Sequence, residues 1–283
     1  MTREDRTRIS LLQRSVTALR RRTKSTFHRM RRTRSELPDT VFVFGCQRSG
    51  TTMILDTLER DWSTTIFRDV SELGNIVLRP DKEVRTVLAR TRSQWAIAKP
   101  LADSHRVIDL LSSFERARGL WMFRHHLAVA HSDLRLFGDQ NGIRNLQGAL
   151  SEDSTNWRTR GVTPGIREMV ERLSVSELSE LDAALLFWLV RNSLFFEQKL
   201  DRHPRVRLVS YERVTAQPLE VFGEIYSWLG KEPPQSRLTN NIRPSPPPPS
   251  GGESNPAILM ECERLLERLE AARASQDIVL RNR

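Results

Sequence analysis

Apolar residues along this chain fall into short continuous runs separated by stripes at helical spacing. Val41 to Phe44 is such a run and reads as a strand buried on both faces. It stops at Gly45, passes through a polar loop, and gives way at Thr51 to a helix-period segment carrying Met53, Ile54, Leu55 and Leu58. Thr64–Asp69 and the following Ser71-Glu72-Leu73-Gly74 suggest no element. Helical spacing returns over Asp81–Thr91, and a second strand over Gln94–Ala98 ends at Lys99. A helix over His105–Arg116, a strand over Leu120–Phe123 ending at Arg124, and a helix from His126 to Leu134 follow. Residues 135–173 are polar and weakly periodic. Val175–Leu200 reads as a long amphipathic helix, with a capping-box spacing at Ser174-x-x-Glu177. Val206–Val209 forms a fourth strand, Leu219–Leu229 a helix stopped by Gly230, and about Pro256–Arg273 the last helix. Between them, residues 233–256 hold a Pro-Ser-Pro-Pro-Pro-Pro-Ser-Gly-Gly segment with no core-forming content. Strands alternating with helices predict a three-layer α/β domain, a parallel sheet flanked by helices on both faces. Ligands of such sheets sit at the carboxyl ends of the strands. That rule predicts one rim carrying Gly45–Thr52, Lys99, Arg124 and Ser132.

Charge divides the chain in two. Residues 1–36 hold twelve of the 45 Lys and Arg but only Glu4, Asp5 and Glu36 of the 35 acidic residues, so most of the net +10 lies there. The chain therefore reads as a basic extension over 1–37 and a nearly neutral domain over 38–283. Ile9, Leu12, Val16 and Leu19 recur at helical spacing among the arginines and predict a basic helix over about residues 8–30. Two readings of it stay open: a solvated or lid helix resting on the domain, and a segment that attaches to an anionic membrane surface. Base-stacking aromatics are not clustered there, which argues against specific nucleic-acid binding. Cys46 and Cys262 form no disulfide or metal framework, no apolar stretch reaches membrane-span length, and no signal-peptide core is evident. A cytoplasmic protein, peripheral to a membrane if the leader attaches, is the resulting expectation.

The chemistry concentrates in Gly45-Cys46-Gln47-Arg48-Ser49-Gly50-Thr51-Thr52. A strand, a glycine-bounded loop and a helix aim backbone N–H groups and the positive end of a helix dipole at an anion. The frame is P-loop-like, yet Thr51 stands where an ATP or GTP enzyme needs lysine, and the positive charge sits inside the loop at Arg48. Ser49 and Gly50 can turn N–H groups inward, and Thr51 and Thr52 add hydroxyls. Farther on, Arg124 closes a strand and Ser132 lies eight residues later, a little over two helical turns, so both can reach one phosphate.

In this order the motifs resemble the sulfotransferases that use 3′-phosphoadenosine 5′-phosphosulfate (PAPS). The likeness covers roughly residues 41–230 and extends to Val209-Ser210-Tyr211-Glu212, Pro218 and Trp228-Leu229-Gly230. It is greatest to the branch of tyrosylprotein and bacterial carbohydrate-type enzymes, through Ala98-Lys99-Pro100. The resemblance implies that residues 47–52 hold the 5′-phosphosulfate, that Arg124 and Ser132 hold the 3′-phosphate, and that Tyr211 borders the nucleotide. It further implies transfer of a sulfuryl group to a hydroxyl of a carbohydrate, lipid or protein without a metal. Arg48 and Lys99 are the candidate catalytic cations, and Glu72 is the candidate base, with His105 as the fallback. Two departures stand out. His125-His126 follows the phosphate arginine, and the basic-glycine segment that caps the nucleotide is replaced by Asn241-Ile242-Arg243-Pro244 and the proline run, where Arg243 or Ser245 is the candidate closing residue. The competing readings are a P-loop small-molecule kinase, which lacks its lysine, and a non-enzymatic protein that binds anionic surfaces through its leader.

Overall fold

The computed structural model describes residues 37–174 and 177–281, together with Thr23, Lys24 and Thr26 of the leader. The expected leader helix otherwise lies outside the described residues. Chain order begins β1 (Asp39–Gly45), α1 (Thr51–Leu58), β2 (Thr64–Phe67), β3 (Val70–Ser71), β4 (Gly74–Asn75), β5 (Val77–Leu78), α2 (Asp81–Ala89) and β6 (Trp95–Ala98). A 3₁₀ turn over Leu101–Arg106 leads into α3 (Val107–Ser113), β7 (Ala117–Phe123), α4 (His126–Phe137), α5 (Asn141–Leu150) and α6 (Pro164–Leu173). Then come α7 (Glu180–Glu197), β8 (Val206–Ser210), α8 (Tyr211–Ala216), α9 (Pro218–Trp228) and α10 (Pro256–Arg281).

Five strands form one sheet in the order β2-β6-β1-β7-β8, and every pairing is parallel. Alternation along β1 explains how both faces are covered. Phe42 and Phe44 point into a core shared with Trp121, Phe123, α7 and α10, whereas Val41 and Val43 point into a second core with Ile54, Leu55, Phe222 and Ile225. Because all five strands run the same way, their carboxyl ends share a rim, and the residues following them are Cys46, Arg68, Lys99, Arg124 and Tyr211. Among the described residues no helix is long and apolar enough to cross a membrane.

Several expectations need correction. Thr64–Phe67 is a fifth strand, pairing in parallel with β6 at the sheet edge, and residues 70–78 make a three-stranded antiparallel sheet. Glu72 lies exposed in the turn between two of its strands. The long helix begins at Glu180 rather than Val175. Its cap is Ser179, whose hydroxyl accepts from the Asp182 N–H, while Ser174 belongs to the end of α6 and donates to the Val170 carbonyl at 2.8 Å. Nor is α7 amphipathic: residues 182–192 are all buried, because the helix sits between the sheet and the helices α4, α5 and α10. The polar, weakly periodic residues 135–173 hold the end of α4 and two further helices, α5 and α6. Gly142 within α5 weakens the helical signal, and the structure shows why it is there: an added Cβ would lie 2.6 Å from the Glu180 carbonyl oxygen and 2.9 Å from the Ala184 nitrogen of α7. α10 runs to Arg281 and is fastened to β8 and α8 by Arg207 and Arg213, which share Asp277 with Arg273 of α10 itself.

One leader residue is seen against the domain. Lys24 is buried, and its Nζ donates to the Glu59 carbonyl at 3.0 Å and to Thr64 Oγ1 at 2.9 Å, so this leader residue docks on the corner between α1 and β2.

Ser179 can be separated from the capping box that the sequence suggested. Ser179→Ala is expected to cost about 1 kcal/mol, a fall of roughly 2–4 °C in Tm for a domain this size. Glu177→Ala is expected to change Tm by less than about 1 °C, and thermal denaturation of the two variants checks the assignment.

Candidate functional site

The rim over β1 is shaped by two residues in left-handed backbone. Arg48 has φ 66° and Gly50 has φ 91°. A Cβ on Gly50 would come within 2.3 Å of the Tyr211 ring, so glycine is required both for the backbone and for the contact. Gly50 is also the N-cap of α1 and supplies no side-chain oxygen, and no acidic residue follows in the first turn. The free N–H groups of that turn and the helix dipole are thus left for an external anion. Among the described residues Ser49 Oγ, Gln47 Oε1 and Arg124 Nε are buried without hydrogen-bond partners, so each is able to bond a polar ligand.

Arg48 and the distant Arg124–Ser132 pair meet directly. Arg48 Nε donates to Ser132 Oγ at 3.1 Å, and Arg124 Nη1 donates to the Arg48 carbonyl at 3.4 Å. Ser132 is on α4, which begins two residues after Arg124 at the end of β7, so the second turn of the helix lies beside the rim. The Arg124 guanidinium lies over the Tyr211 ring, 4.2 Å from its centre, and its backbone carbonyl accepts from Trp188 Nε1 at 3.1 Å. Glu212, next to Tyr211, accepts the His125 N–H at 3.1 Å. The Tyr-Glu dipeptide after β8 therefore has two distinct jobs: the ring supports the guanidinium, and the carboxylate fixes the strand exit that aims it.

A second cationic cluster stands at the end of β6. Lys99 Nζ is 2.8 Å from Asp69 Oδ2 and donates to Thr52 Oγ1 at 3.2 Å, which ties the lysine to the first turn of α1. Asp69 Oδ1 is buried and has no partner. Glu72 has no hydrogen bond or ion pair to another described residue and is outside this cluster, whereas Asp69, three residues earlier, is part of it. Nothing in the sequence distinguished Asp69. Only its parallel position beside Lys99, set by the edge strand β2, brings it in.

Histidines near the rim are held neutral. Burial pushes His105 down to about 4, reinforced by the nearby Arg191 charge, and burial together with His125 does the same to His126. His126 stacks on His125 at 4.3 Å and meets Trp188 edge-on at 5.6 Å. His125, His126 and Glu263 bring possible metal-ligand atoms within 4.8 Å of one another, a grouping that the sequence did not reveal. His125 Nδ1 is already engaged as the cap of α4, where it accepts the Leu127 N–H at 3.3 Å. Arg243 is exposed, Ser245 is half-buried, and the proline run that follows is tied to α4 by a 3.3 Å contact between the Ser250 carbonyl and His131 Nε2.

No family model matches the sequence, and no curated protein matches it. Solved structures do. A sulfotransferase from Alicyclobacillus acidocaldarius is 14% identical with a TM-score of 0.46, covering 85% of this chain and 95% of that one. The sulfotransferase domain of the Synechococcus PCC 7002 olefin synthase is 14% identical with a TM-score of 0.45, covering 85% and 98%. A mouse sulfotransferase, SULT7A1, complexed with PAP, is 14% identical with a TM-score of 0.42, covering 72% of this chain and 62% of that one. Similarity at this level identifies neither donor nor acceptor, which have to be read from the residues on the rim.

The depressed imidazoles give a signed prediction. With folded values near 4 and an ordinary value of 6.5, His105 and His126 bind protons more readily in the unfolded chain, so stability falls as pH drops from about 6.5 to about 4. Tm measured across that interval should decline on the acid side, and His126→Asn should make the decline shallower. An unchanged slope in the variant would show that His126 does not contribute.

Proposed function

We propose that the protein is a sulfotransferase that moves a sulfuryl group from PAPS to a hydroxyl of a carbohydrate, lipid or protein acceptor. The observation that carries this reading is the Arg48 Nε to Ser132 Oγ hydrogen bond, which joins a lysine-less cradle to a separate guanidinium–hydroxyl pair on one rim. A nucleotide phosphorylated at both its 5′ and 3′ ends needs two such anion sites side by side. A kinase would instead need lysine at the position of Thr51.

In this reading Ser49, Gly50, Thr51 and Thr52 hold the 5′-phosphosulfate with N–H and hydroxyl donors, and Arg124 and Ser132 hold the 3′-phosphate, with Tyr211 keeping the guanidinium flat beneath it. The orphaned Ser49 hydroxyl and Arg124 Nε fit such a ligand, since each gains the partner it lacks. The donor supplies the sulfuryl group, whose bond to the acceptor oxygen forms as its bond to the nucleotide phosphate breaks. Negative charge grows on that phosphate oxygen, and Arg48 and Lys99 are the fixed cations beside the cradle that stabilise it. Thr52 orients Lys99 through its 3.2 Å hydrogen bond.

The acceptor hydroxyl must lose its proton. Asp69 is the carboxylate held against this machinery, so we assign it the role first expected of Glu72. Lys99 holds it in place at 2.8 Å. Asp69→Asn is expected to lower turnover by about 10²–10⁴ with little change in nucleotide affinity, while Glu72→Gln stays within a few-fold of the parent. Steady-state kinetics on both variants test this, and the reverse pattern would return the role to Glu72.

For the nucleotide, 3′-phosphoadenosine 5′-phosphate is expected to raise Tm, whereas ATP or GTP with Mg²⁺ is not. Arg124→Ala should weaken that nucleotide roughly 10–100-fold in calorimetry, the range for lost hydrogen bonds to a charged group. Equal stabilisation by ATP would favour the kinase.

A further inference from the structure

Arginines on this domain are treated in two ways. On the side of the sheet where α10 crosses β8, Arg207, Arg213 and Arg273 are each within 3.2 Å of a carboxylate from Glu224, Asp277 or Glu270. Beside the cradle the pattern is reversed. Arg158 Nε donates to Asn145 Oδ1 at 2.7 Å, Arg160 Nη2 to the Thr155 carbonyl at 3.5 Å, and Arg191 Nη2 to the Leu101 carbonyl at 2.8 Å. These acceptors are neutral. Among the described residues, neither these three nor Arg144 forms an ion pair within 4.0 Å.

These charges crowd one another. The guanidiniums of Arg158 and Arg191 share the indole of Trp157, at 4.6 and 5.5 Å from its centre. Arg144 lowers the basicity of Arg158, whose main perturbation is burial, and Arg158 does the same to Arg191, which burial brings down to about 10. Two carboxylates face this group, Asp103 and Asp133, and burial raises both above their ordinary value. In a domain whose residues 37–283 are almost neutral, with 33 basic and 32 acidic side chains, Arg144, Arg158, Arg160 and Arg191 thus gather positive charge beside the cradle without an ion pair among the described residues. Like charges gathered without an ion pair cost stability, and a bound anion relieves that cost.

The group borders the reacting centre. The 3₁₀ turn carrying Asp103 and His105 follows Lys99 by one residue, and Ser104 Oγ in it donates to the Gly45 carbonyl at 3.4 Å, at the root of the cradle. Asp133 adjoins Ser132 and lies within electrostatic reach of both Arg48 and Arg158. The arginine-rich face thus borders the cradle at Gly45 and reaches toward Ser132 through Asp133.

Building on the sulfuryl-transfer reading, we propose that Arg144, Arg158 and Arg160 select an acceptor bearing a fixed negative charge, a carboxylate or similar oxyanion, next to the hydroxyl that is modified. Arg191, fully buried, holds the Trp157 indole and the turn in place and does not itself reach the acceptor.

Matched probes test the proposal on the full chain saturated with 3′-phosphoadenosine 5′-phosphate. Calorimetry compares methyl β-D-glucuronide with methyl β-D-glucoside, and 4-hydroxyphenylacetate with 4-hydroxyphenylacetamide, so that sugar and phenol sources are distinguished. In at least one pair the charged member is expected to bind about tenfold more tightly, with the difference shrinking as salt rises. The combined Arg144→Gln, Arg158→Gln, Arg160→Gln variant should lose that preference and retain the nucleotide-induced rise in Tm. Equal affinity within both pairs, or no binding of any probe, overturns the proposal. A preference that survives in the variant also overturns it and assigns the effect to the basic leader, which is unaltered. If the nucleotide fails to stabilise even the parent chain, the sulfuryl-transfer reading itself is what falls.

Discussion

The hydrogen bond from Arg48 to Ser132 depends on a backbone conformation that most residues avoid. Arg48 at φ 66° turns its side chain across the rim toward α4 instead of outward, and Gly50 at φ 91° then lets the chain enter α1 under the Tyr211 ring. A left-handed non-glycine residue costs of order 1 kcal/mol or more and persists where the surroundings over-determine it. Here the surroundings are the end of β1 on one side and the Arg124 contact to the Arg48 carbonyl on the other. The rest of the site is arranged around that turn.

Support for the rim comes from the two layers beneath it. Trp188, at the centre of the buried helix α7, donates to the Arg124 carbonyl, and Glu212 takes the next N–H along the chain. The strand exit is gripped from both sides, so the guanidinium has little freedom beyond its contact with Tyr211. At the other end of the rim, the edge strand β2 positions Asp69 against Lys99 in the same way, since the ladder continues past β6 with the Lys99 N–H donating to the Phe67 carbonyl at 3.1 Å. Preorganised charges of this kind need no rearrangement when a reaction begins, which is what makes them effective.

Electrostatics divides the molecule along the same lines. Ion pairs with complete partners fasten α10 to the back of the sheet, and Asp61, held down to about 2 mainly by Lys231 against the opposing effect of its burial, ties the α1–β2 corner to the end of α9. Around Trp157, by contrast, arginines are held by an indole face and neutral acceptors instead of carboxylates. One maintains the fold; the other is available to an anion.

Local rules carried the sequence reading a long way. Val41–Phe44, Leu120–Phe123 and Val206–Val209 announce buried strands because both faces of a parallel sheet are covered, and the loop at Gly45–Thr52 announces an anion site through its glycines and hydroxyls. What that reading missed has a common cause. Thr64–Phe67 is too short and too polar to signal a strand until β6 lies beside it. The glycine in α5 reads as a helix breaker until Glu180 and Ala184 of α7 press against it. Asp69 and Glu72 are equivalent carboxylates in sequence, and only the pairing of β2 with β6 separates the one beside Lys99 from the one exposed in a turn. Composition and spacing determine which groups a segment can offer. Which of those groups meet is set by contacts between residues far apart in the chain, and these exist only once the sheet and its covering helices have packed.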